Sequence, residues 1–236
     1  LINHSTSIDK MLTNLLNIFF PPVCNHCKNT LTDHESFLCI SCRHLLPVTN
    51  FHFKNDITVK NVLYGRANIQ SGTALLRFSK HGIVQHLLHQ LKYGKNQEVG
   101  MFLGSWLGEE LKSIKDYSTI DVVIPVPLHT KKLKKRGYNQ VAKFGEQIAV
   151  KLEANYDDNT LIKTSVNKAS QASKKRIDRW YNNKELFDIV NVEHLENKHI
   201  LLVDDVITTG NTIEACCLQL QKAKNIKISI ACMAIA

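Results

Sequence analysis

From Ile200 to Val203 the chain is wholly aliphatic, and two adjacent carboxylates, Asp204 and Asp205, follow directly. After Val206 and Ile207 comes a run of small polar residues, Thr208, Thr209, Gly210, Asn211 and Thr212, which opens a helix-like segment. An apolar run of this length and β-branched content suits a strand buried on both faces, as in a parallel sheet covered by helices. Such sheets bind ligands beyond the carboxyl ends of their strands. That predicts Asp204 and Asp205 at the carboxyl edge. The hydroxyls and N–H groups of Thr208 to Thr212 then surround a helix N-terminus, which attracts phosphate. Two acceptors for vicinal hydroxyls beside a phosphate cradle describe a site for a ribose 5-phosphate.

Other readings of this stretch fit less well. In an ordinary strand, turn and helix, two consecutive buried carboxylates carry a cost with nothing in return, and the Thr-Gly-Asn run is denser than an N-cap needs. A Walker-B strand would require a Gly-x-x-x-x-Gly-Lys-Ser/Thr loop elsewhere. The Gly94-Lys95 pair is followed by Asn96, and His89 stands where the first glycine should be.

Cys24-x-x-Cys27, eleven residues and Cys39-x-x-Cys42 form a four-thiolate pattern. Each pair fits a tight knuckle that aims two sulfurs at one tetrahedral ion, so structural zinc is expected at Cys24, Cys27, Cys39 and Cys42. A segment this short has little core, and metal binding would supply much of its folding free energy. Cys216, Cys217 and Cys232 lie in the last predicted helix and strand and read as small buried hydrophobes.

The rest of the chain alternates. Ile83, Leu87, Leu88 and Leu91 recur at helical spacing, as do Met101, Phe102, Trp106, Leu107 and Leu111. Gly100, Gly104 and Gly108 lie four apart on the second of these helices, which predicts close packing against a neighbour. A short strand is expected over 121–125, a helix over 138–152, a strand over 160–165, a helix over 211–222 and a strand over 226–235. The fold class is therefore α/β, a parallel sheet with flanking helices preceded by a small four-cysteine module. The expected domains are 1–50, an N-terminal helix and zinc-binding module, and 51–236, the α/β domain. No apolar run nears the roughly 20 residues that span a bilayer. No small-residue cleavage site follows the mildly amphipathic N-terminus, so a cytoplasmic location is expected. The formal net charge of +9 makes a polyanionic partner worth testing.

The segment around Asp204 resembles the phosphoribosyl diphosphate (PRPP) signature of type I phosphoribosyltransferases. Together with the cysteine pairs, the chain resembles the ComF/ComFC (GntX-like) family from about Leu15 to its end. The Leu91-Lys92-Tyr93 element, Pro125-Val126-Pro127-Leu128-His129, Arg136-Gly137-Tyr138-Asn139-Gln140, and Gln171, Arg176, Arg179, Asn182 and Phe187 all fall at family spacing. Ala172, Ser173 and Lys174 depart from it, since the family usually carries Thr-Gly-Leu or similar after the glutamine. The resemblance implies a type I phosphoribosyltransferase-like sheet whose Asp204 and Asp205 orient the ribose. Val206, Thr208, Thr209, Gly210, Asn211 and Thr212 would hold the 5-phosphate. N–H groups of Pro125-Val126-Pro127, with Lys131 or Lys132 and Mg²⁺, would neutralise the diphosphate. The acceptor is not identified; Thr208 stands where relatives that use 6-oxopurines carry an acid.

Lys131, Lys132, Lys134, Lys135 and Arg136 place five cations in six positions; a solvated basic loop is the default reading, with a phosphate-binding loop that closes over the diphosphate and nucleic-acid contact as the functional alternatives. Lys134, Lys135 and Arg136, with Lys174, Lys175 and Arg176 beside Trp180 and Tyr181, pair cations with aromatics as single-strand binders do. The resemblance implies a role in natural transformation, handling single-stranded DNA with a DNA-uptake helicase or another competence protein. A salvage or biosynthetic phosphoribosyltransferase with another acceptor and a non-enzymatic, PRPP-sensing adaptor are the alternatives.

Overall fold

A computed structural model describes residue 17 and residues 19–164 and 187–236 of the chain. Two compact units are separated between Leu46 and Pro47, four residues before the boundary expected from sequence. The reason is local: Pro47 to Thr49 lie along strand β1 (Gly72–Arg77), with Arg77 N donating to Pro47 O at 2.8 Å and Thr49 N to Leu75 O at 3.0 Å.

In the first unit the chain makes two turns that each carry a cysteine pair. Cys24 N donates to Asn29 O and Lys28 N to Cys24 O, and Lys28 takes a left-handed φ of 66° to close the first turn. Cys39 caps the short helix α1 (Ile40–His44). Glu35 braces the segment between the turns: its carboxylate accepts from Thr32 N at 2.9 Å and from Ile40 N at 2.6 Å.

The second unit is built on a five-stranded parallel sheet of order β1-β7-β6-β2-β3. Its strands are β1, β2 (Val122–Pro125), β3 (Asn155–Tyr156), β6 (His199–Ile207) and β7 (Lys227–Ile235). Helices α2 (Phe51–Lys54) and α3 (Thr58–Val62) precede β1; α4 (Ile83–Tyr93) and α5 (Glu98–Lys112) follow it. After β2 come α6 (Thr130–Arg136) and α7 (Ala142–Leu152), and α8 (Asn211–Leu220) joins β6 to β7. The expected strand over 160–165 is β4 (Leu161–Lys163), which pairs antiparallel with β5 (Phe187–Ile189) in a separate ribbon.

Strands β6 and β7 are buried almost end to end, as an all-aliphatic run in a helix-covered sheet must be. The glycine spacing in α5 does what it predicts. A Cβ at Gly104 would stand 2.4 Å from Phe144 O, and one at Gly108 2.8 Å from Lys151 Cβ, so α5 and α7 touch nearly backbone to backbone. Cys216, Cys217 and Cys232 are fully buried in the apolar core. Burial pushes the Cys217 thiol up to about 12. No helix among the described residues is long and apolar enough to cross a membrane.

Candidate ribose-phosphate site and four-cysteine cluster

The strand order changes direction between β2 and β6. From β2 the chain moves outward to β3, then returns to place β6 on the other side of β2. A crevice opens at such a switch point beyond the carboxyl ends of the strands. Pro125 pairs with Val203, and Val126 N donates to Val203 O at 2.9 Å. Asp204 and Asp205 are therefore the first residues of β6 to pass the end of β2. The sequence reading ended the strand at the carboxylates, whereas β6 runs on to Ile207. The longer partner β7 pairs Asp204 with Cys232 and Val206 with Ala234.

Both carboxylates are about nine-tenths buried, and their partners are specific. Asp204 Oδ1 accepts from Asp205 N at 2.8 Å. Asp205 Oδ2 lies 2.9 Å from Lys92 Nζ and accepts from Gln140 Nε2 at 3.1 Å. Cys232 sits fully buried beside them, and burial together with the two negative charges keeps it a thiol. Lys92 and Gln140 come from the two motifs that carried the family resemblance, yet sequence reasoning gave neither a role. Side chains of the second motif lock the two segments. The Tyr138 hydroxyl donates to Leu91 O, Asn139 Nδ2 donates to Val126 O at 3.0 Å, and Arg136 Nη1 donates to Gln140 Oε1 at 2.7 Å.

Beyond β6 the loop of Thr208 and Thr209 is exposed, and Gly210 opens α8 with a left-handed φ of 75°. Any side chain there would also strike Leu63 and Val62 at 2.9 Å, so the position requires glycine. Arg66, which nothing in the sequence marked, clamps this loop. It donates to Thr209 O and Asn211 Oδ1, both at 2.6 Å, and pairs with Glu214. The loop thus leaves its hydroxyls and N–H groups at a helix N-terminus, the arrangement that receives phosphate.

Two expectations about the neighbouring loop change. Pro125 and Pro127 have no N–H, and the Val126 N–H is taken by β6. The segment has no amide to give an anion until Leu128. The basic stretch is also not a loop: Thr130 to Arg136 form α6, with the His129 ring accepting from Lys131 N at the cap. A helix sorts the five cations by face. Lys132, Lys135 and Arg136 line one cavity with Lys92, whereas exposed Lys131 and Lys134 do not. Lys174, Lys175 and Arg176 lie outside the described residues.

In the first unit the sulfurs of Cys24, Cys27, Cys39 and Cys42 all lie within 4.8 Å of one another. Cys27 Sγ and Cys39 Sγ are 3.7 Å apart. Four thiolates at about 2.3 Å from one tetrahedral ion stand roughly 3.8 Å apart, so the cluster has the dimensions of a metal site. Burial works against a thiolate at Cys24, but N–H groups of Cys39, Cys27 and His26 outweigh it and bring the thiol down to about 6.

Residues 141–235 match the phosphoribosyl transferase domain, a span that holds β6, its carboxylates and the phosphate-type loop. The chain is homologous to Competence protein F of Haemophilus influenzae, 25% identical over 209 residues, which cover 83% of this chain and 89% of that protein. It is also homologous to the DNA utilization protein YhgH of Escherichia coli O157:H7, 26% identical over 131 residues. That match spans about half the length of each chain, 54% here and 56% there. Among solved structures, a purine phosphoribosyltransferase from Pyrococcus horikoshii is 20% identical with a TM-score of 0.36, covering 61% of this chain and 76% of that one. An adenine phosphoribosyltransferase from Leishmania tarentolae is 14% identical with a TM-score of 0.35, covering 75% and 87%.

Proposed function

We propose that the chain binds PRPP with Mg²⁺ at the carboxyl edge of its sheet and acts as a ComF-type, phosphoribosyltransferase-like protein that handles single-stranded DNA during DNA uptake. One observation carries the reading. Two adjacent buried carboxylates at the strand-order switch stand immediately before a glycine-permitted, hydroxyl-rich loop that caps a helix. Asp204 and Asp205 accept from the ribose hydroxyls, and Thr208 to Thr212 donate to the 5-phosphate. Mg²⁺ bound with PRPP beside these carboxylates would supply the positive charge that neutralises the diphosphate. Lys92 already sits on Asp205, so a cation is accommodated at that carboxylate before any ligand arrives. The contacts of Lys92 and Gln140 both fall on Asp205 Oδ2, which leaves Oδ1 to accept a hydroxyl. The four cysteines hold zinc, which closes their unit and adds to its folding free energy.

The names of the two relatives support the DNA part, as do the exposed cations of α6. Titration of a short single-stranded DNA at several salt concentrations, with and without Mg–PRPP, tests it. Binding should weaken steeply with salt, with a slope near −0.7 per phosphate contacted. Exchanging Lys131, Lys132, Lys134 and Lys135 for alanine should flatten that slope by about 2 to 3. An unchanged slope moves the strand away from α6. Binding of Mg–PRPP with no DNA affinity at any salt would favour a small acceptor.

A further inference from the structure

A cavity of about 260 Å³ lies on the amino side of β1, between the segment that leads into that strand and the segment that follows α5. It shares no residue with the carboxyl-edge site. Phe51, Ile57 and Ile114 give it apolar wall, and buried His52 is fixed between Thr73 Oγ1 and Glu110 Oε2, each at 3.0 Å. The charged lining is only partly engaged. Asp56 accepts from Thr58 N at 2.7 Å, Asp116 accepts from Ser71 Oγ at 3.0 Å, and Lys60 Nζ donates to Gln70 O at 3.1 Å. Each keeps further lone pairs or N–H groups. Lys54 and Arg77 also lie near Asp56. The charges nearly balance, so the wall favours neither a phosphate nor a polyamine. Tyr117 is the exceptional member. It is 2% exposed, yet among the described residues its hydroxyl makes no hydrogen bond. Burial and the charge of Asp116 push that hydroxyl up, so it keeps its proton to donate. A buried phenol usually has a partner, and the open cavity is where one can enter.

These groups suit an uncharged ligand with N–H donors for the carboxylates, a carbonyl for the phenol and the ammonium group, and apolar faces. A nucleobase meets all three conditions, because pockets hold bases by hydrogen bonds along one edge and apolar contact on the faces. Guanine sets two N–H donors, at N1 and N2, directly beside its O6 acceptor. Adenine has no carbonyl, and uracil has one N–H between two carbonyls. The volume lies below the roughly 300 Å³ from which drug-sized pockets begin, which suits one base. We infer that this cavity is a guanine site, in which Asp116 accepts from N1 and N2 while Tyr117 donates to O6. The inference goes beyond the proposed function and does not depend on it. A base held here is a separate ligand, not the acceptor for a ribose at Thr208 to Thr212. It comes either from a free nucleoside or from an unpaired position of a single strand.

The test titrates guanosine, adenosine and uridine calorimetrically into the full chain, as wild type, Tyr117→Phe and Asp116→Asn. Guanosine should bind the wild type more tightly than the other two nucleosides. It should bind Tyr117→Phe about 2- to 12-fold more weakly, the usual worth of one hydrogen bond. The Tm of that variant should stay at or above the wild-type value, because the hydroxyl has no protein partner to lose. A merely structural tyrosine would move the Tm and leave the nucleoside alone. Asp116→Asn keeps an acceptor for Ser71 but turns an amide donor towards the N–H groups of guanine, and should weaken guanosine by at least about tenfold. Two tetranucleotides, one of thymidine throughout and one with a 3′-terminal deoxyguanosine, then compete with bound guanosine. Displacement by the guanine-ended strand alone identifies the strand as the source, and displacement by neither identifies the free nucleoside. Equal affinity of guanosine for the three proteins overturns the site. So does equal binding of the three nucleosides, or a wild type that binds no guanosine up to its solubility limit.

Discussion

Helices α5 and α7 offer a test in which two substitutions of the same kind should have opposite signs. A methyl group at position 104 would meet Phe144 O at 2.4 Å and Phe144 Cα at 2.9 Å. Ordinary contact starts at 3.4 Å, so the shortfall is about 1 Å (3.4 less 2.4). The obstacle is backbone and cannot swing aside, so the helices must part. Overpacking of this kind costs about 1–3 kcal/mol, and the higher helix propensity of alanine returns about 1 kcal/mol. A clash this deep against backbone belongs in the upper part of that range, about 2–3 kcal/mol, so Gly104→Ala should lose about 1–2 kcal/mol net, a drop in Tm of about 2–8 °C for a chain of this size. At Gly100 the nearest atom is Phe144 N at 3.4 Å, ordinary contact. Gly100→Ala should keep the propensity gain and raise Tm by about 2–4 °C. Urea and thermal unfolding of both variants, with the m-value as a check on two-state behaviour, read the signs. A Gly104→Ala protein as stable as the wild type would refute the close packing. Gln140, which holds Asp205, immediately precedes α7, so the same packing sets one wall of the site.

Two further outcomes are expected. Replacing Cys24 and Cys27 by serine should release bound zinc and expose the first unit to protease while Pro47–Ala236 keeps its unfolding transition; equal zinc content in both proteins, measured by atomic emission, would contradict the assignment. Stability should also fall in mild acid. His52 and His199 are buried, and burial holds both below their ordinary value of 6.5, against the opposing pull of Glu110 on His52 and of Asp121 and Asp116 on His199. Below pH 6.5 the unfolded chain takes up protons that the folded one resists. Stability is complete above that pH and declines towards pH 5, by at most about 1.4 kcal/mol per unit for each histidine. His199→Asn should flatten the decline in thermal melts, and an unchanged pH profile would count against the account.

What was legible in the sequence was what local pattern decides. The Ile200–Val203 run, the paired carboxylates, the glycine before α8 and the glycine stripe of α5 each state a backbone requirement within a few residues. The cysteine spacing likewise encodes two turns. The rest depends on distance along the chain. Arg66 reaches Glu214 across 148 positions, and Lys92 reaches Asp205 from α4, which Tyr138 ties to the segment before α7. No periodicity announces either contact. The five cations of 131–136 were read as one basic loop because sequence counts charges without sorting faces. Once α6 forms, Lys132, Lys135 and Arg136 join Lys92, while Lys131 and Lys134 lie outside that cavity. The extension of β6 past the carboxylates was hidden for a similar reason: it depends on β7 being the longer neighbour.

The most direct test of the central claim is a calorimetric titration of Mg–PRPP into the wild type and into a protein carrying Asp204→Asn and Asp205→Asn, each repeated with a short single-stranded DNA present. The wild type should bind, the DNA should alter that binding, and the double variant should fold normally yet bind no PRPP. Equal affinity in the two proteins would contradict the assignment of the site to these carboxylates.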